Sequence, residues 1–524
     1  MDIRFWDVVV LVVYFGGITL FGLWFATRNK TTEDYFLGGR NFPSWVIGIS
    51  LIGTSISSIS FLAYPGDAYK TAYLRLIITW TLPLAILMAA YVFVPFFRRG
   101  NITSAFQYLE SRFGPSTRVY GAVAFIAFQL LRIAQILFLI SILVREFIGW
   151  PMWACIVAAG IFVAFYTVVG GIEAVIWTDV IQTIILLFGG VAVLGFIVYH
   201  LDGGLMQIIR EAGESNKFAL AEFDPVTQTP EPTSWDFTLQ RKTALMMLFV
   251  GLTQWLTEYS SNQNVVQRYC ASRSTKAARQ ALWINCFSAL AIWAFFMFVG
   301  TSLWVYYQNF PTPESQAMLA GEVPAERILP HFVLNVLPAG LGGLVVAAAL
   351  AAAMSSLDSS INAISTVGIV DVYKRHLVKG RDDIHYLRVA RIIAMIAGVF
   401  MIGGAWVLYT AEDVKTLQDI NTILTSIFAG GLMGLFFLGF FTKVADGRAV
   451  GVAIVCTIAY TLYRSLEGLG IAPDTGIDQY YTGMFGHLIM FAVGLIAGAI
   501  IFPAPKDRDL TNLTVWTQDG TPVD

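Results

Sequence analysis

The sequence predicts an all-α polytopic membrane protein with about thirteen transmembrane helices. Three observations carry that class. Of the 524 residues, 56% are hydrophobic and 13% are charged, against about 25% charged in an ordinary globular domain. Mean hydropathy is +0.67. The apolar residues fall in runs of about 20 or more, the length a helix needs to cross a bilayer core. A soluble enzyme, a nucleic-acid binder and a disordered chain are excluded, because each needs far more polar surface. The net charge of −2 points to no partner. Cys155, Cys270, Cys286 and Cys456 lie in or beside apolar runs, so no disulfide is expected.

In order, the expected spans are 6–27, 42–63, 73–97, 118–145, 150–168, 174–200, 241–264, 277–307, 328–370, 388–410, 416–441, 448–466 and 481–503. The first is too long for a signal-peptide core, and no small-residue cleavage site follows it. The ninth is too long for one span. A short helix ending near Pro338 should precede a spanning part from Gly340. Basic residues concentrate at Arg28 to Arg40, Arg98–Arg99, Arg268 to Arg279 and Lys374 to Arg391. Placing these loops inside puts the N-terminus outside and the C-terminus in the cytoplasm. The segment 201–240, rich in Glu, Pro and Thr, reads as a long solvated outer loop, and 505–524 as a short polar cytoplasmic end. The chain reads as one transporter domain, 1–524. Spans two to six (42–200) and seven to eleven (241–441) are two sets of five that start on opposite sides, which permits an inverted repeat. Helices 6–27, 448–466 and 481–503 are then peripheral.

The informative residues are polar ones deep in apolar spans, where a charge costs about 2.5–3.5 kcal/mol on insertion scales. Span two holds Ser50, Thr54, Ser55, Ser57, Ser58 and Ser60, with Gly48 and Gly53 beside them. Ser and Thr compete for helix backbone groups, and Gly weakens a helix. Either the helix breaks here and offers carbonyls to a cation, or it is a closely packed helix with small interfacial residues. In span nine, Ser355, Asp358, Ser359 and Asn362 share one oxygen-lined face. Packing needs no carboxylate, so Asp358 favours a cation there. Gly170-Gly171 makes a tight turn, and Asp179 follows about a turn into span six; a capping carboxylate is the alternative. Arg132, in mid-span four, is too deep to snorkel. It is either paired with an intramembrane carboxylate or a fork for a substrate carboxylate. Glu258, with Gln254 and Thr257, is a candidate for a polar pathway or gate. There is no P-loop, the five His are scattered without ligand spacing, and no nucleophile–base pair is present. No enzyme is expected.

Four anchors resemble the sodium:solute symporter family. They are Thr31-Thr32-Glu33-Asp34-Tyr35-Phe36-Leu37-Gly38-Gly39-Arg40, Gly170-Gly171 to Asp179-Val180-Ile181-Gln182, Asn262-Gln263-Asn264-Val265-Val266-Gln267-Arg268, and Asp371-Val372-Tyr373-Lys374. The resemblance covers nearly the whole chain and implies a LeuT-type 5+5 inverted repeat. It implies a sodium site made of the carbonyls of Gly53, Ile56 and Ala352 and the hydroxyls of Ser355 and Ser356. Asp179 lies near that site in relatives. A second sodium, as in members resembling the bacterial sialic acid transporters, would use Asp179, Ser355, Asp358 and Ser359. Asp358 replaces a hydroxyl there and could serve sodium or a proton.

Sugar-transporting members carry amides and carboxylates where this chain has Ser60 and Thr79, and an Asn where it has Trp255. The sialic acid members use hydroxyls on span two and an Arg on span four, matched by Ser55, Ser57, Ser60 and Arg132. The resemblance therefore implies sodium-coupled import of a carboxylate-bearing solute, with sialic acid the leading candidate. A neutral sugar, polyol or amino acid is the alternative, and a transporter-fold sensor a more remote one. Expected partners are Na+, the small solute and the bilayer, with no nucleic acid. A monomer in the plasma (bacterial inner) membrane is expected.

Overall fold

The computed structural model describes residues 4–26, 31–99, 102–223, 230–410, 431–468, 470–503 and 508–519. Among these, nine helices are long and apolar enough to cross a membrane, or ten if one bent pair counts as a span.

Helix α1 (Phe5–Ala26) is followed by the short α2 (Thr32–Leu37), which Thr31 and Asp34 start as a reciprocal capping box. The second expected span is two helices, α3 (Ser44–Ser55) and α4 (Ser58–Lys70). Next come α5 (Leu76–Arg99), α6 (Phe106–Phe113) and α7 (Pro115–Ile148). Spans five and six are continuous in α8 (Met152–His200), which bends at Gly171. Its φ of 64° and ψ of −171° suit only a residue without Cβ. The seventh span, α10 (Ala244–Ser261), stops at Asn262 and restarts as α11 (Gln263–Ala271). The break is unanticipated. Asn262 takes an extended backbone and caps the new helix by accepting from Asn264 N at 3.0 Å.

Then follow α12 (Thr275–Asn309), α13 (Ile328–Asn335) and α14 (Leu341–Val367), which continues as a wider coil through Leu377. The ninth run thus splits as expected, at Gly340 with φ 89°. The remaining helices are α15 (Asp383–Thr410), α16 (Leu432–Phe441), α17 (Gly447–Gly468) and α18 (Thr482–Ile496). The part of the eleventh expected span over 416–430 lies outside the described residues.

At the centre stands α14. Every residue from Val345 to Ile369 is buried, and α8, α7, α1 and α3 pack around it. Small residues, Ala347 to Ala349 and Ala351 to Ala353, allow that close approach. The expected peripheral helix α1 is clamped to its end. Asp7 Oδ1 accepts from the backbone N–H of Gly340 and Gly343, each at 2.7 Å. These are orphan donors of a helix N-terminus, and a carboxylate there also suits the helix dipole.

Two polar segments are more structured than expected. Segment 201–240 contains α9 (Gly204–Glu214) and a hairpin, Ala221–Phe223 paired antiparallel with Pro230–Pro232. Its Lys217 is fully buried and donates to the carbonyls of Tyr69 (2.8 Å) and Thr71 (2.7 Å), tying down the end of α4. Burial pushes its pKa down to about 7. The polar tail docks as well. Val515 N–H donates to Phe440 O and Trp516 Nε1 to Phe441 O, both at 2.9 Å, while Tyr108 donates to Leu513 O at 3.0 Å.

Candidate functional site

The site starts from the break in span two. After Ser55, Ile56 adopts φ −95° and ψ 101°, and the chain axis turns by 57°. Carbonyls at such a break lose their helical partners, and inside a membrane something else must satisfy them. The serine-lined face of α14 does so. Ser355 Oγ donates to Gly53 O at 2.8 Å and lies 3.1 Å from Ala352 O. Ser356 Oγ donates to Thr54 O at 3.3 Å, and Thr54 Oγ1 is 3.1 Å from Ser359 Oγ. Gly53, Ala352, Ser355 and Ser356 therefore lie together, with Ile56 in the break itself. Such neutral oxygens suit a hard, singly charged cation. Among the described residues, no group of three His, Cys, Asp or Glu side chains converges to hold a transition metal.

Gly53 is needed for this approach. A Cβ there would sit 2.9 Å from Thr183 Oγ1 and 3.3 Å from the Asp179 backbone oxygen. The Asp179 side chain is fully buried and accepts from Ser50 Oγ at 2.6 Å and Arg268 Nη2 at 2.8 Å. Arg268 also donates to Ser50 Oγ, Ser359 Oγ and Asn264 O, at 2.8, 2.7 and 2.7 Å. It therefore joins α3, α8, α11 and α14. From the sequence Arg268 is an inner-loop cation, and Arg132 is either paired with an intramembrane carboxylate or a fork for a substrate carboxylate; in the structure it is Arg268 that is buried in the pair with Asp179. The useful signal was Asp179 itself, since a carboxylate at that depth requires a cation. Asp358 is also fully buried, but its Oδ1 accepts from Thr167 Oγ1 at 2.7 Å. Of the second candidate ion set, Asp179 and Ser359 meet through Arg268, while Asp358 meets Thr167 on the first half of α8.

Arg132 is half-buried on α7. Its Nη2 donates to Thr54 O at 3.3 Å, and among the described residues no carboxylate is in ion-pair range. Ser55 is half-buried at the end of α3, and Ser57 and Ser60 are buried at the break and in the first turn of α4. Thr79 spends its hydroxyl on Leu76 O at 2.7 Å. The half-buried Glu258 accepts from Asn262 Nδ2 at 2.7 Å, and Asn262 in turn lies 3.5 Å from Gln129 Nε2. Gln129 is one turn from Arg132, so α7 and α10 share this polar seam. Aromatic neighbours were missed. Trp255 donates its indole N–H to Ile78 O at 3.0 Å and lies 5.1 Å from Trp293, on which Tyr64 stacks at 6.4 Å. Tyr64 is one turn beyond Ser60, a spacing the sequence already showed.

This constellation sets a neutral oxygen nest beside a guanidinium that, among the described residues, is in no ion pair, and Ser356 and Arg132 meet at one peptide group, the Thr54 carbonyl. It can hold a small cation and an anionic group side by side.

The chain matches the profile of the sodium:solute symporter family over residues 35–451. It is 32% identical over 506 residues to the sodium/sialic acid symporter SiaT of Proteus mirabilis (strain HI4320), covering 96% of this chain and 97% of that one. It is 30% identical over 488 residues to the sodium/sialic acid symporter NanT of Aliivibrio fischeri (strain ATCC 700601 / ES114), covering 93% and 92%. Its fold matches the substrate-bound outward-open state of a Na+-coupled sialic acid symporter with a TM-score of 0.85, at 30% identity, over 97% of this chain and all of that one.

Proposed function

The chain belongs to the sodium:solute symporter family, and from that premise we propose that it imports a carboxylate-bearing solute, with sialic acid the leading candidate. It is an integral membrane protein with the LeuT-type fold, and its relatives are transporters rather than enzymes. Both broken helices, at Ile56 and Asn262, open their five-helix sets (42–200 and 241–441), which supports an inverted repeat.

One observation carries the solute reading. Arg132 is half-buried, has no carboxylate partner among the described residues, and touches the same Thr54 carbonyl as Ser356. A guanidinium kept unpaired at that depth suits a carboxylate that arrives and leaves. The shared carbonyl also gives coupling a physical route. A sodium ion at Gly53, Ile56, Ala352, Ser355 and Ser356 orders the break, and the ordered break fixes Ser57, Ser60 and Arg132 for the solute. Each ligand then favours the other's binding by the same factor. Thr79 and Glu258 form the far side of the solute site.

One charge crossing 100 mV supplies about 2.3 kcal/mol, and a tenfold sodium gradient about 1.4 kcal/mol. A monoanion cancels the electrical part of one sodium. A second cation therefore suits the task, and we place it at Asp358 with Ser355 and Ser359, beside Asp179. We further propose a monomer in a bacterial inner membrane, N-terminus outside and C-terminus inside.

The test is uptake of labelled sialic acid into proteoliposomes under inward sodium or potassium gradients, with membrane potential clamped. Concentrative uptake should require sodium and increase with an inside-negative potential. Sodium-independent uptake would overturn the coupling. Sodium-driven uptake of a neutral sugar, polyol or amino acid, unaffected by acidic sugars, would overturn the carboxylate assignment. Uptake indifferent to potential would remove the second cation.

A further inference from the structure

Away from the transport site, a cavity of about 410 Å³ opens on the face that carries the basic loops. Its walls come from α2 and the loop after it, from the start of α7, and from the coil that extends α14 to Leu377. Arg40, Arg118, Lys374 and Arg375 line it, and Glu33 is the acid in the lining. Several of these charges are already matched. Arg118 bonds Asp371 Oδ1 at 2.7 Å and Glu110 Oε2 at 2.6 Å, Arg375 Nε bonds Glu110 Oε1 at 2.9 Å, and Arg40 bonds Glu33 at 3.0 Å. Lys374 rests 5.0 Å over the Tyr386 ring and, among the described residues, is in no ion pair. Asp383 adjoins the lining through Thr32 Oγ1 at 3.2 Å, so the carboxylates match the cations in number. Lys374 is nonetheless the lining cation outside the ion pairs, and the phosphodiester of a headgroup is an anion that could pair with it.

The position of the rim selects the source of that phosphate. Leu377 is 68% exposed and Ile384 63% exposed, on either side of the turn that follows Lys374 and Arg375. Beyond Ile384 α15 exposes Arg388 on the same face, and from Ile392 it presents Ile392, Met395, Ile396, Val399 and Phe400 outward, an apolar stripe suited to hydrocarbon with a cation at its margin. The cavity therefore lies at the edge of the apolar belt, at headgroup level, and basic pockets there attract anionic lipid.

We propose that this cavity seats the headgroup of an anionic phospholipid, with its phosphodiester against Lys374 and its acyl chains along Leu377 and Ile384. A bound headgroup would bridge α2, the start of α7 and the end of the helix that bears Ser355, steadying the face opposite the solute's entrance.

The test uses the full-length protein in a non-ionic detergent, with its melting temperature followed at constant ionic strength. The probes are short-chain phosphatidylglycerol, short-chain phosphatidylcholine and inorganic phosphate. Phosphatidylglycerol should raise the melting temperature saturably, and the other two should not. Lys374→Gln should shift the phosphatidylglycerol midpoint upward at least fivefold, while Lys374→Arg should restore it. Arg40→Gln probes the opposite wall if the first variant fails to fold. An equal response to phosphatidylcholine would mean that acyl chains alone bind. An equal response to inorganic phosphate would mean a soluble-anion site. Either result, or an unmoved midpoint in a folded Lys374→Gln protein, overturns the proposal.

Discussion

Ser355→Ala tests the sodium site most directly. The hydroxyl is 2.8 Å from Gly53 O and 3.1 Å from Ala352 O, and the residue is fully buried, so no water can easily replace it. Its loss removes one ligand from the cation. Hydrogen bonds and contacts to charged groups are worth about 1.5–3 kcal/mol. At about 1.4 kcal/mol per factor of ten, that is a loss of roughly 10- to 150-fold in sodium affinity. Two assays should agree. In proteoliposomes, the sodium concentration for half-maximal uptake should rise by at least tenfold, with near-normal uptake at saturating sodium. In melting experiments, sodium at a hundred times Kd stabilises wild type by about 2.7 kcal/mol, and a tenfold weaker site would give about 1.4 kcal/mol. The sodium-dependent part of the melting shift should therefore fall by about half at the same concentration. If the variant folds and both curves stay within twofold of wild type, Ser355 is not a ligand and the oxygen nest is only a packing contact.

Arg132→Ala should abolish uptake of the acidic solute yet keep the sodium-dependent melting shift, and Arg132→Lys should recover only a minor part because the planar fork is lost; unchanged uptake would refute the carboxylate role. Gly53→Ala should lower stability by about 1–3 kcal/mol through overpacking against Thr183 and Asp179, and adding Thr183→Ala should recover part of it; no recovery would place the strain elsewhere. Lys217 gives a pH test. Its folded pKa of about 7 is below the unfolded 10.5, so between these values the unfolded chain holds a proton that the folded one lacks. Stability should therefore increase as pH rises from 7 to 9, and Lys217→Met should flatten that slope; an identical slope in the variant would exclude Lys217 as its origin.

Much of this architecture was legible along the chain because the bilayer imposes a local rule. A helix must supply about 20 apolar residues in sequence to cross it, so α1, α7, α12 and α15 stand out without tertiary information. The weakness at Ser50 to Ser60 was legible for the same reason, since hydroxyls and glycines in a span have few uses. The second break was not. Asn262 ends α10 with an extended backbone, yet Asn in a span also reads as an ordinary buried polar residue. The order in the 201–240 segment was hidden too, because Lys217 looks like any loop cation until Tyr69 and Thr71 turn their carbonyls to it.

What the order of residues determined alone is that this chain lives in a membrane, weakens its second span, and carries oxygens and charge where hydrocarbon should be. Which charge meets which was decided only by the fold. Arg268 is 89 positions from Asp179 and Arg132 is 78 from Thr54, and pairings at such separations leave no periodicity in the sequence. They exist because α14, lined with small side chains, lets α3, α8 and α11 converge on it, and that convergence pairs Arg268 with Asp179 while Arg132, among the described residues, meets no carboxylate.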